Sequence, residues 1–128
     1  MPHISLEYSA NLESRTDIGA LCEHLRAVAA TIDALPMPGL RVRAIRCEHY
    51  AIADGDPKHA FIDISVRLRA GRSEEVKRKA AERLFTAAKA FLDPVLASSS
   101  LALSLEMRDI DPDLSPKTGS IRDHLGTL

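Results

Sequence analysis

The chain has no excess of charge of either sign: Lys and Arg number 17 against 18 Asp and Glu, a formal net charge of -1 across 128 residues. That balance argues against general nucleic-acid binding, which needs a basic face to neutralise phosphates. Long apolar runs are missing as well, so no segment approaches the roughly 18 residues of a membrane-spanning helix. The opening MPHISLEYSANLES has neither the basic start nor the apolar core of a signal peptide. A cytoplasmic location, with no membrane partner, is therefore the expectation. Cysteine is scarce: Cys22 and Cys47 sit inside apolar patterns rather than as a CxxC pair, which reads as two free, buried thiols. Aromatics make up 4% of the residues. Phe85 and Phe91 fall in a helical pattern and read as core rather than as a platform for stacked bases.

Ligand signatures are also missing. His3, His24, His49, His59 and His124 lie in separate segments without an HxxxH or a His-carboxylate pair at ligand spacing, so no metal is expected. The six glycines are scattered, and neither GxGxxG nor GxxxxGK[ST] appears, so there is no phosphate loop. No G-x-S-x-G elbow supports a serine nucleophile.

What is present is periodicity. Ile4, Leu6 and Tyr8 alternate with polar neighbours from Pro2 to Tyr8, the period of a half-buried strand. Ile18, Leu21, Cys22, Leu25, Val28, Ala29 and Ile32 recur at spacings of three and four, an amphipathic helix that Thr16 or Asp17 caps and Pro36, Pro38 and Gly39 end. A second strand runs through RVRAIRCEHYAIA. Its apolar parity slips between Val42 and Ala44 on one side and Ile45 and Cys47 on the other, which predicts a bulge near Ala44.

The order then repeats. Ile62, Ile64, Val66 and Leu68 alternate with Asp63, Ser65, Arg67 and Arg69. Ser73 caps a second helix with Glu74 and Glu75 in its first turn, and Val76, Ala80, Leu84, Ala88, Phe91 and Val95 form its predicted buried stripe. Pro94 is expected to stop it. A last strand, LALSLEMRDI, puts Leu101, Leu103, Leu105 and Met107 on one face.

The layout is a single α/β (α+β) domain, 1–128, made of two strand-helix-strand pseudo-repeats, roughly 2–53 and 59–111, and a C-terminal extension, 112–128. Helices of this length can cross over between parallel strands. Two such units side by side give a four-stranded mixed sheet with both helices on one face. The other face is left bare, with Phe61, Ile45 or Cys47 meeting water, so that face is expected to pack against further subunits.

The candidate chemistry is cationic. Arg41, Arg43 and Arg46 fall in the second strand, Arg67 and Arg69 in the third, and Arg72 in the AGRS turn. Converging guanidinium groups suit a small di- or tricarboxylate. Taken singly, Arg43, Arg46, Arg67 and Arg69 read as the solvated face of a strand. Arg72 stands apart beside Gly71 at a strand-to-helix turn, and Arg41 begins its strand directly after PGL. Glu7, Glu48, Asp63 and Glu106 offer acid and base groups but read as solvent-facing strand residues. Pro2 is different again. If Met1 is removed, Pro2 presents a secondary amine at the head of a strand, and burial beside arginines would favour its free base.

MPHISLEYSANL, GLRVR, the ADGD turn followed by HAFIDISVRLRAGRS, and LALSLEMRDIDPDLSPKTGSIRDHL together resemble the 5-carboxymethyl-2-hydroxymuconate isomerase family of the tautomerase superfamily. The resemblance spans essentially the whole chain. AGRS with the following EExK is the superfamily's looser signature, whereas its combination with Pro2, GLRVR and DPDLSPK is much more specific.

The resemblance implies a tautomerase-like tandem β-α-β fold assembling as a homotrimer, with sheets inward and helices outside. It implies Pro2 as catalytic base, Arg41 and Arg72 as substrate-binding residues, and Arg43 more weakly by its neighbourhood. It further implies a cofactor-free proton shift on a small unsaturated tricarboxylate in bacterial breakdown of homoprotocatechuate. Two rival readings remain open at this point: a tautomerase acting on another unsaturated oxo acid, and a non-catalytic trimeric binder of an anionic metabolite.

Overall fold

A computed structural model describes residues 1–126. Its elements run β1 (His3–Ser9), α1 (Ile18–Ala29), β2 (Arg41–Cys47), β3 (Ala60–Arg69), α2 (Glu74–Ser98) and β4 (Leu101–Ile110). The sheet order is β2-β1-β3-β4. β1 pairs parallel with β2 and β3 parallel with β4, while β1 and β3 join the two units antiparallel. The expected four-stranded mixed sheet with helices on one face is what forms.

Alternation decides which face is covered. Ile4, Leu6 and Tyr8 of β1 and Ala60, Ile62, Ile64, Val66 and Leu68 of β3 are buried on the helix side. There they meet Leu21, Leu25 and Ala29 of α1 and Ala80, Leu84, Ala88, Leu92 and Val95 of α2. Asp17 caps α1, its side chain accepting from the Ala20 N–H, and Ser73 caps α2 by accepting from the Val76 N–H. Buried Ser9 is satisfied by donating to Asn11 Oδ1 at 2.7 Å and accepting from the Phe61 N–H at 2.9 Å.

Five expectations need correction. β2 has no bulge: residues 3–9 pair one-to-one with 41–47. The parity slip arises because β2 is an edge strand with apolar residues on both faces. Val42 and Ala44 pack on the core, and Ile45, 45% exposed, points to the open face. The strand also ends at Cys47, and residues 48–59 form a loop in which Ala53 takes a positive φ of 53°.

α1 stops at Ala29, well before Pro36. The Thr31 and Ile32 N–H groups donate to Val28 and Ala29 carbonyls, tightening the last turn, and Ile32 and Leu35 still fold into the core. α2 does not stop at Pro94 but continues to Ser98. Pro94 and Ala90 both face solvent, so water can satisfy the Ala90 carbonyl that loses its partner. Finally, Val76 leaves the predicted stripe, 43% exposed in the first turn of α2, and Leu92 joins it instead.

The register sorts the open face into rows. Arg41, His3, Arg67 and Arg108 form one row at the start of β1. Cys47 and Ser9 pair at the opposite end, near Phe61 and Ala102. The bare face is thus cationic at one end and more apolar at the other. Among the described residues no helix is long and apolar enough to cross a membrane.

Candidate active site

The beginning of the chain is threaded into the cationic end of the sheet. Pro2 is buried, and its carbonyl accepts from the Arg41 N–H at 3.1 Å, which ties the residue ahead of β1 to the first residue of β2. A 3-10 turn at Met37–Gly39 delivers the chain to Arg41. Gly39 lies close against the chain start: a Cβ there would lie 2.8 Å from Met1 Sδ, 3.2 Å from Met1 Cα and 3.6 Å from Pro2 Cδ.

A hollow of about 630 Å³ opens beside this end, with Met1, His3, Arg41, Arg67, Arg69 and Lys117 among its walls. A smaller one of about 330 Å³ shares Met1, Arg41, Lys117 and Thr118 with it and extends to Gly39 and Arg122. The chain start therefore borders both. β2 supplies Arg41, β3 supplies Arg67 and Arg69, and the segment after β4 supplies Lys117.

The charge on the chain start responds to this setting. The Met1 amine is held below its ordinary pKa, first by burial and then by the positive charges of Lys117, Arg72, Arg69 and Arg41. That amine stands in for the secondary amine Pro2 would present after loss of Met1. His3 is likewise pushed down by burial and then by Arg67, Arg41 and Arg43. Its Nε2 lies 3.0 Å from Arg41 Nη1 and its Nδ1 lies 3.2 Å from Arg43 Nη1. A neutral imidazole has one acceptor nitrogen, so only one guanidinium donates to the ring at a time.

Arg41 and Pro2, singled out from sequence, are thus brought together. Arg72 follows Gly71, whose φ of 111° is a left-handed conformation suited to glycine, and donates to the Arg69 carbonyl at 3.0 Å. It does not line the larger hollow, yet its charge reaches the chain start. Arg43 touches His3 but lines neither hollow. Arg46 is elsewhere, paired with Glu13 and Glu48.

His3 and Lys117 carry no site reading in the sequence, and Arg67 and Arg69, part of its arginine cluster, read singly as a solvated strand face. The antiparallel register that sets His3 against Arg67 cannot be read from either strand alone. Lys117 sits in a segment without periodicity, where the only signal was the DPDLSPK motif itself. Among the described residues no group of three or more His, Cys, Asp or Glu is placed to hold a metal ion.

Comparison with known proteins adds to this geometry. The family model described as 5-carboxymethyl-2-hydroxymuconate isomerase matches residues 2–125. A 5-carboxymethyl-2-hydroxymuconate Delta-isomerase of Escherichia coli is 30% identical over 121 residues, covering 94% of this chain and 96% of its own. A crystal structure of a 5-carboxymethyl-2-hydroxymuconate delta-isomerase is similar with a TM-score of 0.89 and 31% identity, covering 100% of this chain and 95% of its own. A 5-carboxymethyl-2-hydroxymuconate isomerase from Deinococcus radiodurans R1 gives a TM-score of 0.87 at 34% identity, covering 96% and 92%.

Proposed function

The chain belongs to the 5-carboxymethyl-2-hydroxymuconate isomerase family, and from that premise we propose that it isomerises this tricarboxylate dienol with an N-terminal Pro2 as base. The observation that carries the proposal is the position of the chain start, half-buried against hollows walled by Arg41 and Lys117, with Arg69 and Arg72 close enough to depress its amine pKa.

Burial and like charge both disfavour the protonated amine, so the free-base share at neutral pH is raised above that of an ordinary α-amino group with a pKa of about 7.7–8.0. In this reading Pro2 takes the 2-hydroxyl proton and returns a proton to carbon 5, giving the 2-oxo-3-ene product without a cofactor. Arg41 and Arg72 hold carboxylates and draw negative charge toward the 2-oxo end as it develops there. Arg43 supports the site through His3. The enzyme would serve homoprotocatechuate breakdown in the bacterial cytoplasm.

Homotrimer assembly belongs to the same reading, as does a single domain of two β-α-β units with a C-terminal extension. It is supported by Ile45, Cys47 and Phe61 on the uncovered face and by exposed Leu114 and Ile121 in the extension. The last positions of that extension, 127–128, lie outside the described residues.

The test is to compare protein lacking Met1, verified by intact mass, with protein retaining it or carrying one residue inserted before Pro2. Enol-to-ketone conversion is expected only when Pro2 is free. Equal turnover in all three would remove Pro2 as the base.

A further inference from the structure

The extension after β4 folds back on the chain start. Its turn is fixed at Asp111, whose side chain accepts from the Asp113 N–H at 2.9 Å and whose carbonyl accepts from the Ser115 hydroxyl. This turn brings Lys117 to both hollows beside Met1. Every other lysine is paired: Lys58 with Asp56, Lys77 with Glu74 and Asp109, Lys79 with Glu75 and Lys89 with Asp93. Among the described residues Lys117 enters no such pair. Its ammonium is thus a cation at the site with no salt-bridge partner among the described residues, contributed by a different element from Arg41 and Arg72.

We propose that Lys117 is a specificity-determining residue that binds one carboxylate of a small tricarboxylate and so favours it over the corresponding dicarboxylate. The proposal rests on the isomerase reading for the identity of the substrate, but not for the preference itself. In that reading Arg41 and Arg72 account for two carboxylates, and the Lys117 ammonium, reaching both hollows from the segment after β4, offers a separate partner for a third. An ammonium on a flexible stem meets a carboxylate as a point charge and tolerates varied geometry, which suits a group on a saturated side arm.

The experiment has two arms, both on the full chain without Met1. Calorimetry compares the unreactive tricarboxylate tricarballylate with glutarate, the same carbon skeleton without the central carboxylate. Wild type is expected to prefer the tricarboxylate. Lys117→Met should weaken tricarballylate binding by about 10-fold while changing glutarate by less than about 2-fold, and Lys117→Arg should restore most of the difference. Turnover of the tricarboxylate dienol against the analogue lacking the carboxymethyl group should show the same split in kcat/KM. Equal losses on both ligands would make Lys117 a structural residue, and no loss on either would make it a bystander; each outcome overturns the proposal. If wild type binds with the expected preference but turns over neither dienol, the isomerase reading fails while the assignment of Lys117 stands.

Discussion

Nη1 of Arg41 lies 3.0 Å from Nε2 of His3, the closest approach between the second strand's guanidinium and the ring that begins the first. Arg43 faces the other ring nitrogen, and Arg67 is opposite His3 across the antiparallel pair. A protonated imidazole would face three guanidinium groups, which explains why burial and these charges depress its pKa. A group whose folded pKa is lowered binds its proton more readily when unfolded. Its stabilising contribution is full above the ordinary value of about 6.5 and is lost as pH falls below it. Replacing His3 with Gln should therefore flatten the fall in Tm between pH 7.5 and 5.5; an unchanged pH dependence would show that His3 does not titrate as described.

The same electrostatics sets the acid limb of catalysis. With Pro2 as the base, activity should persist below the roughly 7.7–8.0 of an ordinary α-amino group. Arg69 lines the larger hollow and helps depress the amine pKa. Arg69→Gln should raise the apparent pKa in the kcat/KM profile while leaving the far-ultraviolet circular dichroism intact. A limb that stays put would mean that Arg69 is too screened to act on the base.

Arg41 and Arg72 both lie outside the buried core. Arg72 spends one hydrogen bond on the Arg69 carbonyl and is otherwise free to meet an anion. Arg72→Ala and Arg41→Ala should each cost roughly 10- to 100-fold in kcat/KM, the range of a lost charge-assisted hydrogen bond, with little change in Tm. Loss of thermal stability in proportion to loss of activity would point to a structural role instead.

Pro94 sits inside α2, where it has no N–H for the Ala90 carbonyl. Because the site is exposed, nothing in the core depends on the ring. Pro94→Ala should stabilise the protein by about 1–3 kcal/mol, seen as a raised denaturation midpoint with an unchanged m-value. A lowered midpoint would mean that the proline imposes a bend the packing of Leu92 and Val95 requires.

Much of this architecture is legible from alternation alone. In β3 every second residue from Ala60 to Leu68 is buried, and the strand's neighbours follow from the doubled layout. Pairing is less legible. The rows that bring His3 to Arg41 and Arg67 depend on long-range register, and no local pattern encodes it. The two helices end against their prolines in opposite ways: α2 runs through Pro94, whose ring meets solvent, and α1 stops before Pro36 in a tightened last turn, with Ile32 and Leu35 folded into the core beyond it. The catalytic proposal shows the same division. Pro2, Arg41 and Arg72 are singled out by motif and position, whereas Lys117, marked only by lying in DPDLSPK, is placed at the site by the Asp111 turn that folds the extension back.

The parity slip in β2 has the most direct consequence for assembly. Ile45 is apolar on the face that no helix covers, and it shares that face with half-buried Cys47 and Phe61. An edge strand with an exposed β-branched residue is a pairing hazard unless another surface covers it. Assembly through this face would bury Ile45 in every subunit, so one charged substitution would act on all copies of the interface at once. Ile45→Lys should therefore reduce the oligomer to smaller species in sedimentation velocity while leaving the monomer's secondary structure intact, because the Ile45 side chain is outside the core. An unchanged sedimentation coefficient would show that the sheet face is not the assembly surface.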